Sequence, residues 1–139
     1  MPYPKNDAAI RDLLTETRVI ALVGASQNPA RASHEVMAYL LRRGYRVIPV
    51  NPGQAGKEIL GQTVVARLAD IGEKVDMVDV FRELSAIPAV VDEAIAIGAG
   101  SVWLQLGLAD DGAREKAEAA GLKVVMDRCP KIEIPRLGL

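Results

Sequence analysis

The residues whose types and spacing point most directly to chemistry are Gly24, Ala25 and Ser26. Before them stand five consecutive apolar residues, Val19 to Val23, with the composition of a buried parallel strand. After them a helical pattern begins near Ser33. Small residues let a backbone turn sharply and come close to a ligand. The first turn of a helix offers unpaired N–H groups and the positive end of its dipole. Strand, small-residue turn and helix N-terminus together therefore read as an anion site for a phosphate-bearing ligand. Pro29, Arg31 and Ser33 stand at its margin, Ser33 as the expected helix N-cap. A side chain at position 24 is expected to occupy the phosphate approach.

Other chemically capable residues are few. His34 is the single histidine and Cys129 the single cysteine, so an internal disulfide, a cysteine-based metal cluster and a histidine-rich metal site are excluded as readings. His34 reads as a capped or solvent-facing helical residue, and Cys129, beside Arg128, as a packed thiol at a strand end. Asp76 and Asp79 fall in an apolar strand three residues apart and so face opposite sides. Each needs a partner if buried, and loop backbone or Arg82 is expected to supply it. Trp103 reads as core. No nucleophile–base pair stands at a recognisable spacing, so no catalytic residue is assigned.

The elements that must position these residues follow from length and pattern. A chain of 139 residues suits one domain, and 50% hydrophobic with 4% aromatic residues is an α/β composition. Seventeen basic against 18 acidic side chains leave a net charge of −1, which gives no footprint for nucleic acid. No apolar run is long enough to span a membrane, and the N-terminus has no apolar signal region, so a cytoplasmic protein is expected. Asn6 is read as the cap of a first helix with Ile10, Leu13 and Leu14 on one face. Further strands are expected at 46–50, 75–81, 101–106 and 123–126. Helices are expected from about 33 to 43, over 64–71, after Ser85 as its cap, and after Asp110 or Asp111 as its cap. The tail from Asp127 reads as irregular because of Pro130 and Pro135. Alternating strands and helices predict a Rossmann-like parallel sheet of about five strands with helices on both faces. Ligands of such sheets sit beyond the carboxyl ends of the strands. That selects Gly24 to Pro29, Asn51 to Gly53, Phe81 to Leu84, Gln105 to Leu108 and Asp127 to Cys129.

A dinucleotide fingerprint would read G-x-G-x-x-G, but the corresponding positions are Gly24, Ser26 and Pro29. The acid that binds a ribose diol after the second strand is replaced by Asn51-Pro52, although Asn51 offers a hydrogen bond to ribose. Gly56-Lys57 is followed by Glu58, so no Walker loop is present.

Five motifs occur in order: Gly24-Ala25-Ser26-x-x-Pro29-x-Arg31-x-Ser33, Gly44-Tyr45-x-Val47-x-Pro49-Val50-Asn51-Pro52, Val75-Asp76-x-Val78-Asp79-Val80-Phe81-Arg82, Val102-Trp103-Leu104-Gln105-x-Gly107 and Val125-x-Asp127-Arg128-Cys129. In these the chain resembles the small stand-alone CoA-binding proteins and is similar to the CoA-binding domain of the succinyl-CoA synthetase α subunit. The resemblance implies coenzyme A as cofactor. It implies Gly24, Ala25, Ser26 and Pro29 along the pyrophosphate, Pro52 near the adenosine end, and Val80, Phe81 and Arg82 holding adenine and ribose. Gln105 and Gly107 would flank the pantetheine path. The synthetase carries a lysine where this chain has Gln54, which leaves the 3′-phosphate to Lys57, Arg31 or Arg82. The phosphohistidine domain of the synthetase has no counterpart in this sequence.

The expectation is a module that binds CoA or an acyl-CoA without catalysing a reaction. The rivals are a subunit of a CoA ligase or acyl-CoA transferase with catalysis on another chain, an NAD(P)-binding oxidoreductase or sensor, and a structural module with a vestigial loop. A homodimer and a larger enzyme subunit are the protein partners left open.

Overall fold

A computed structural model describes residues 7–139. The expected cap Asn6 lies outside them. The main sheet has five strands, all parallel: β1 (Val19–Val23), β2 (Arg46–Val50), β5 (Met77–Val80), β6 (Ser101–Leu104) and β7 (Lys123–Val125), in the spatial order β2-β1-β5-β6-β7. Chain order reverses between β1 and β5, because β2 lies on one side of β1 and everything later on the other. That junction is the topological switch point, where doubly wound sheets form their ligand crevice.

The sheet is covered on both faces, as expected for strands that are apolar throughout. On one face α1 (Asp7–Glu16), α2 (Ala32–Arg42) and α5 (Pro130–Arg136) bury Ile10, Leu14, Met37, Leu40 and Ile134 against Ile20, Leu22, Met77 and Trp103. On the other, α3 (Ile87–Ala96) and α4 (Asp111–Ala119) bury Val90, Val91, Ala94 and Ala117 against Ala21, Val78, Val80 and Val102. Trp103 is a core residue, and its indole N–H donates to the Arg128 carbonyl at 2.8 Å, the partner a buried Trp requires. Asp76 accepts from the amides of Arg18 and Val19 at 3.0 and 2.9 Å, so its partner is backbone at the start of β1. Asp110 caps α4 by accepting from Ala113 N–H at 3.0 Å.

Three expectations are corrected. The segment 64–71 is not a helix. It follows a hairpin of β3 (Glu58–Ile59) and β4 (Gln62–Thr63), bridges the sheet edge through Val65 beside Val50, and ends in a 3₁₀ turn at Leu68–Asp70. The hairpin turns on Leu60 and Gly61 with φ of 51° and 81°, a primed turn whose twist suits the strands. Pro49 fits β2 because this is an edge strand of the main sheet. Second, the tail is not irregular. Pro130 takes the first position of α5, where no N–H is needed, and Pro135 falls in the last turn of a seven-residue helix. Third, Ser33 and Ser85 are not helix caps. Arg31 is the N-cap of α2 with no side-chain cap bond, and Ala86 that of α3. Ser33 is the second helical residue and is buried.

No helix among the described residues is long and apolar enough to cross a membrane, and no group of metal-ligating side chains is found among them.

Candidate functional site

The switch point is built by backbone. Gly24 and Ala25 both donate to the Val50 carbonyl, at 3.0 and 3.4 Å, and Phe81 N–H donates to Val23 O at 2.8 Å. The ends of β2, β1 and β5 are thereby locked side by side. Gly24 has φ of +92°, and a Cβ there would stand 2.2 Å from the Phe81 carbonyl oxygen. Glycine is thus required because strand β5 presses on the turn. A side chain at 24 would meet protein backbone first, which corrects the expectation that it would chiefly fill the phosphate approach.

The loop between β1 and α2 is held by its own polar side chains. Ser26 Oγ accepts from Asn28 N–H and Asn28 Oδ1 from Ala30 N–H, each at 3.0 Å, turn-forming bonds of the Asx and Ser/Thr kind. Gln27 donates to the Glu58 carbonyl at 3.2 Å and so ties the loop to β3. Asn51 connects the loop to the end of β2. Its Nδ2 donates to Ala25 O at 2.8 Å, and its Oδ1 accepts from Gly53 N–H at 2.9 Å. Beyond the loop, the Arg31 carbonyl takes the amides of His34 and Glu35, while those of Ala32 and Ser33 have no acceptor among the described residues. Two unpaired N–H groups at the head of an 11-residue helix form an anion-attracting pole.

Two cavities lie at the carboxyl ends of the strands. The first, about 390 Å³, lies at the ends of β1 and β2 under α3; its wall includes Gly24, Asn51, Pro52, Arg67, Arg82 and Glu93. The second, about 570 Å³, lies between α2 and α5; its wall includes Val36, Phe81, Arg82, Gln105, Leu106 and Cys129. Arg82 belongs to both. Its guanidinium meets Glu83 at 3.0 Å. The Glu83 carboxyl is held below its ordinary range first by its own backbone hydrogen bond and then by Arg82.

Of the residues singled out in the sequence, the structure brings Gly24, Asn51, Pro52, Phe81, Arg82 and Gln105 into these two walls. Ala25 and Val80 are fully buried and line neither cavity. Ser26, Pro29, Arg31, Ser33 and Lys57 are also in neither wall. Ser26, Pro29 and Arg31 belong to the loop before α2, Ser33 to its first turn, and Lys57 is exposed beyond β2. Gly107 is exposed and donates to Asp127 Oδ1 at 2.7 Å. Arg67 is the residue that sequence reasoning missed. It comes from the edge segment that was read as helix, so no periodicity pointed to it.

Two buried polar groups stand out. Gln105 is 7% exposed, its Oε1 has no hydrogen-bond partner, and it faces the second cavity. Asp79 is fully buried on β5, and neither carboxylate oxygen has a partner. Burial pushes its pKa well above the ordinary value. Arg82, the expected partner, pairs with Glu83 instead.

Comparison with known proteins shows the family and the fold. A family model described as a CoA binding domain matches residues 18–135. An uncharacterized Bacillus subtilis protein, YneT, is 37% identical over 125 residues, covering 90% of this chain and 91% of the relative. The structure of cell-free ID.343 from Thermus thermophilus matches with a TM-score of 0.90 and 42% identity, covering 95% of this chain and 98% of that one. A hypothetical protein from Pyrococcus horikoshii OT3 matches with a TM-score of 0.92 and 40% identity over 99% of this chain and 96% of that one.

Proposed function

The chain belongs to the CoA binding domain family, and on that premise we propose that it binds coenzyme A or an acyl-CoA as a non-catalytic binding or regulatory module. The observation that carries this reading is the pair of cavities that share Arg82, the second of which reaches Ala32 at the N-terminus of α2. CoA is an extended molecule with a nucleotide at one end, a pyrophosphate in the middle and a pantetheine arm at the other. The adenosine 3′-phosphate end enters the first cavity, where Pro52 and Gly24 give apolar and backbone surface and Arg67 a cation. The pyrophosphate lies over Gly24 to Ser26 and the free amides of Ala32 and Ser33, with Arg82 alongside. The pantetheine arm passes Phe81 and Gln105 into the second cavity.

Binding then rests on backbone amides, two arginines and a fixed loop. The helix dipole adds about 0.3–1 kcal/mol, and each charge-assisted hydrogen bond about 1.5–3 kcal/mol. An NAD reading is disfavoured. The Asn51 amide at the end of β2 is already engaged at both ends by Ala25 and Gly53, and no carboxylate stands there for a ribose diol.

An amide NMR titration with CoA tests the placement. Shifts concentrated at Gly24 to Ser26, Ala32, Ser33 and Arg82 are expected; shifts confined to residues outside both cavities and the loop would overturn it.

A further inference from the structure

The second cavity, about 570 Å³ against about 390 Å³ for the first, is built of unlike parts. Its deep wall carries Gln105 and Cys129, both buried at 7% exposure. Its outer wall carries Leu106 and Ile132, which are 58% and 49% exposed. These are two of four large hydrophobic side chains exposed among the described residues, and they flank one opening, with Leu108 between strand end and helix and Val36 across the cavity. Apolar side chains gathered at the mouth of a cavity, next to a buried amide without a partner, make an incomplete surface. The apolar rim gains from being covered, and the Gln105 amide gains from a polar group brought to it.

We propose that this cavity takes the apolar acyl chain of an acyl-CoA, so that the ligand is a fatty-type thioester of medium or greater length rather than free CoA. The inference rests on the CoA reading above, because it is the pantetheine arm that delivers the thioester to this place. Gln105 meets the polar end: its side-chain amide offers both a donor for the thioester carbonyl and an acceptor for a pantetheine N–H. Beyond the sulfur, the chain lies along Val36, Leu106, Leu108 and Ile132. Arg67 stays with the first cavity, while Arg82, Glu35 and Lys131 also stand in the wall of the second. A carboxylated acyl group meets Lys131 and Arg82 as well as Glu35 in this wall but has no apolar length to bury, so succinyl-CoA is expected to bind less tightly than octanoyl-CoA.

Calorimetric titration of the intact protein with CoA, succinyl-CoA and octanoyl-CoA decides the matter. Each methylene fully removed from water multiplies affinity about fourfold, so octanoyl-CoA is expected to bind at least about tenfold more tightly than CoA even with partial burial. The double variant Leu106→Asn/Ile132→Asn changes two half-exposed positions. It is expected to bring octanoyl-CoA within about twofold of CoA when both are measured on the same variant. Equal affinities for CoA and octanoyl-CoA in the unaltered protein overturn the inference and leave the CoA reading standing. So does a result in which the double variant instead converts a dimer to a monomer in sedimentation, since a second copy then covers the rim. Failure to bind any of the three ligands overturns the CoA reading and this inference together.

Discussion

Gly24 and Phe81 stand so close that a Cβ on the glycine would lie 2.2 Å from the phenylalanine carbonyl oxygen. The contact joins the turn after β1 to the end of β5 across the switch point, and its partner is backbone, which cannot swing away as a flexible side chain does. Gly24→Ala also places a side chain at φ of +92°. The left-handed conformation and the clash together are expected to cost about 2–5 kcal/mol, read by urea denaturation, with CoA binding lost in the molecules that remain folded. Gly53→Ala is the control. Its Cβ would meet Asn51 Oδ1 at an ordinary 3.5 Å, so stability is expected to stay within about 1 kcal/mol.

The cations divide into those that face the cavities and those that do not. Arg67→Ala and Arg82→Ala are each expected to weaken CoA about tenfold or more, the loss of a charge-assisted contact. Lys57→Ala and Arg31→Ala are expected to stay within about twofold. Calorimetry on the four variants reads this directly. If Lys57→Ala costs more than either cavity arginine, the 3′-phosphate sits by the turn after β2.

Ile134 is 1% exposed on α5 and packs in the core with α1 and α2 residues. Ile134→Ala is expected to cost about 2–5 kcal/mol, measured from the denaturation midpoint. A cost near zero would mean that the last helix does not seal this face of the sheet.

Asp79 gives the fold a pH dependence whose sign is fixed by burial. Its folded pKa is raised well above the ordinary 3.8 by desolvation alone, so the folded chain keeps a proton that the unfolded chain releases. The stability it allows is fully present below the unfolded value and is lost as pH rises through the folded one. Asp79→Asn removes the titrating group. Its melting temperature is therefore expected to pull ahead of the unaltered protein's as pH rises from about 4. A difference that stays constant across that range would show that Asp79 is not titrating in the fold.

The sheet and its switch point were legible because their signals are local and repeated. Val19 to Val23 is apolar without interruption, and Gly44, Gly98 and Gly121 each follow the end of a helix. Gly24 was legible as a turn, but its contact with Phe81 was not, since that contact joins residues far apart in sequence. Positions 58–71 misled because strands of two residues are too short to show a period, and Val64, Val65 and Leu68 fall at helical spacing by chance. Arg67 was lost with them. The tail misled because Pro130 and Pro135 were weighed as helix breakers, although a proline at the first helical position costs nothing. The loneliness of Gln105 and Asp79 appears only when every neighbour is placed.

The central claim is that the loop at Gly24 and the two flanking cavities hold coenzyme A. The most direct measurement is isothermal titration of the purified protein with CoA, dephospho-CoA and NAD. Saturable CoA binding is predicted, weakened without the 3′-phosphate by about tenfold or more as a charged contact is lost, with no heat from NAD at the same concentration. Binding of NAD in preference to CoA, or silence from all three, would contradict the account.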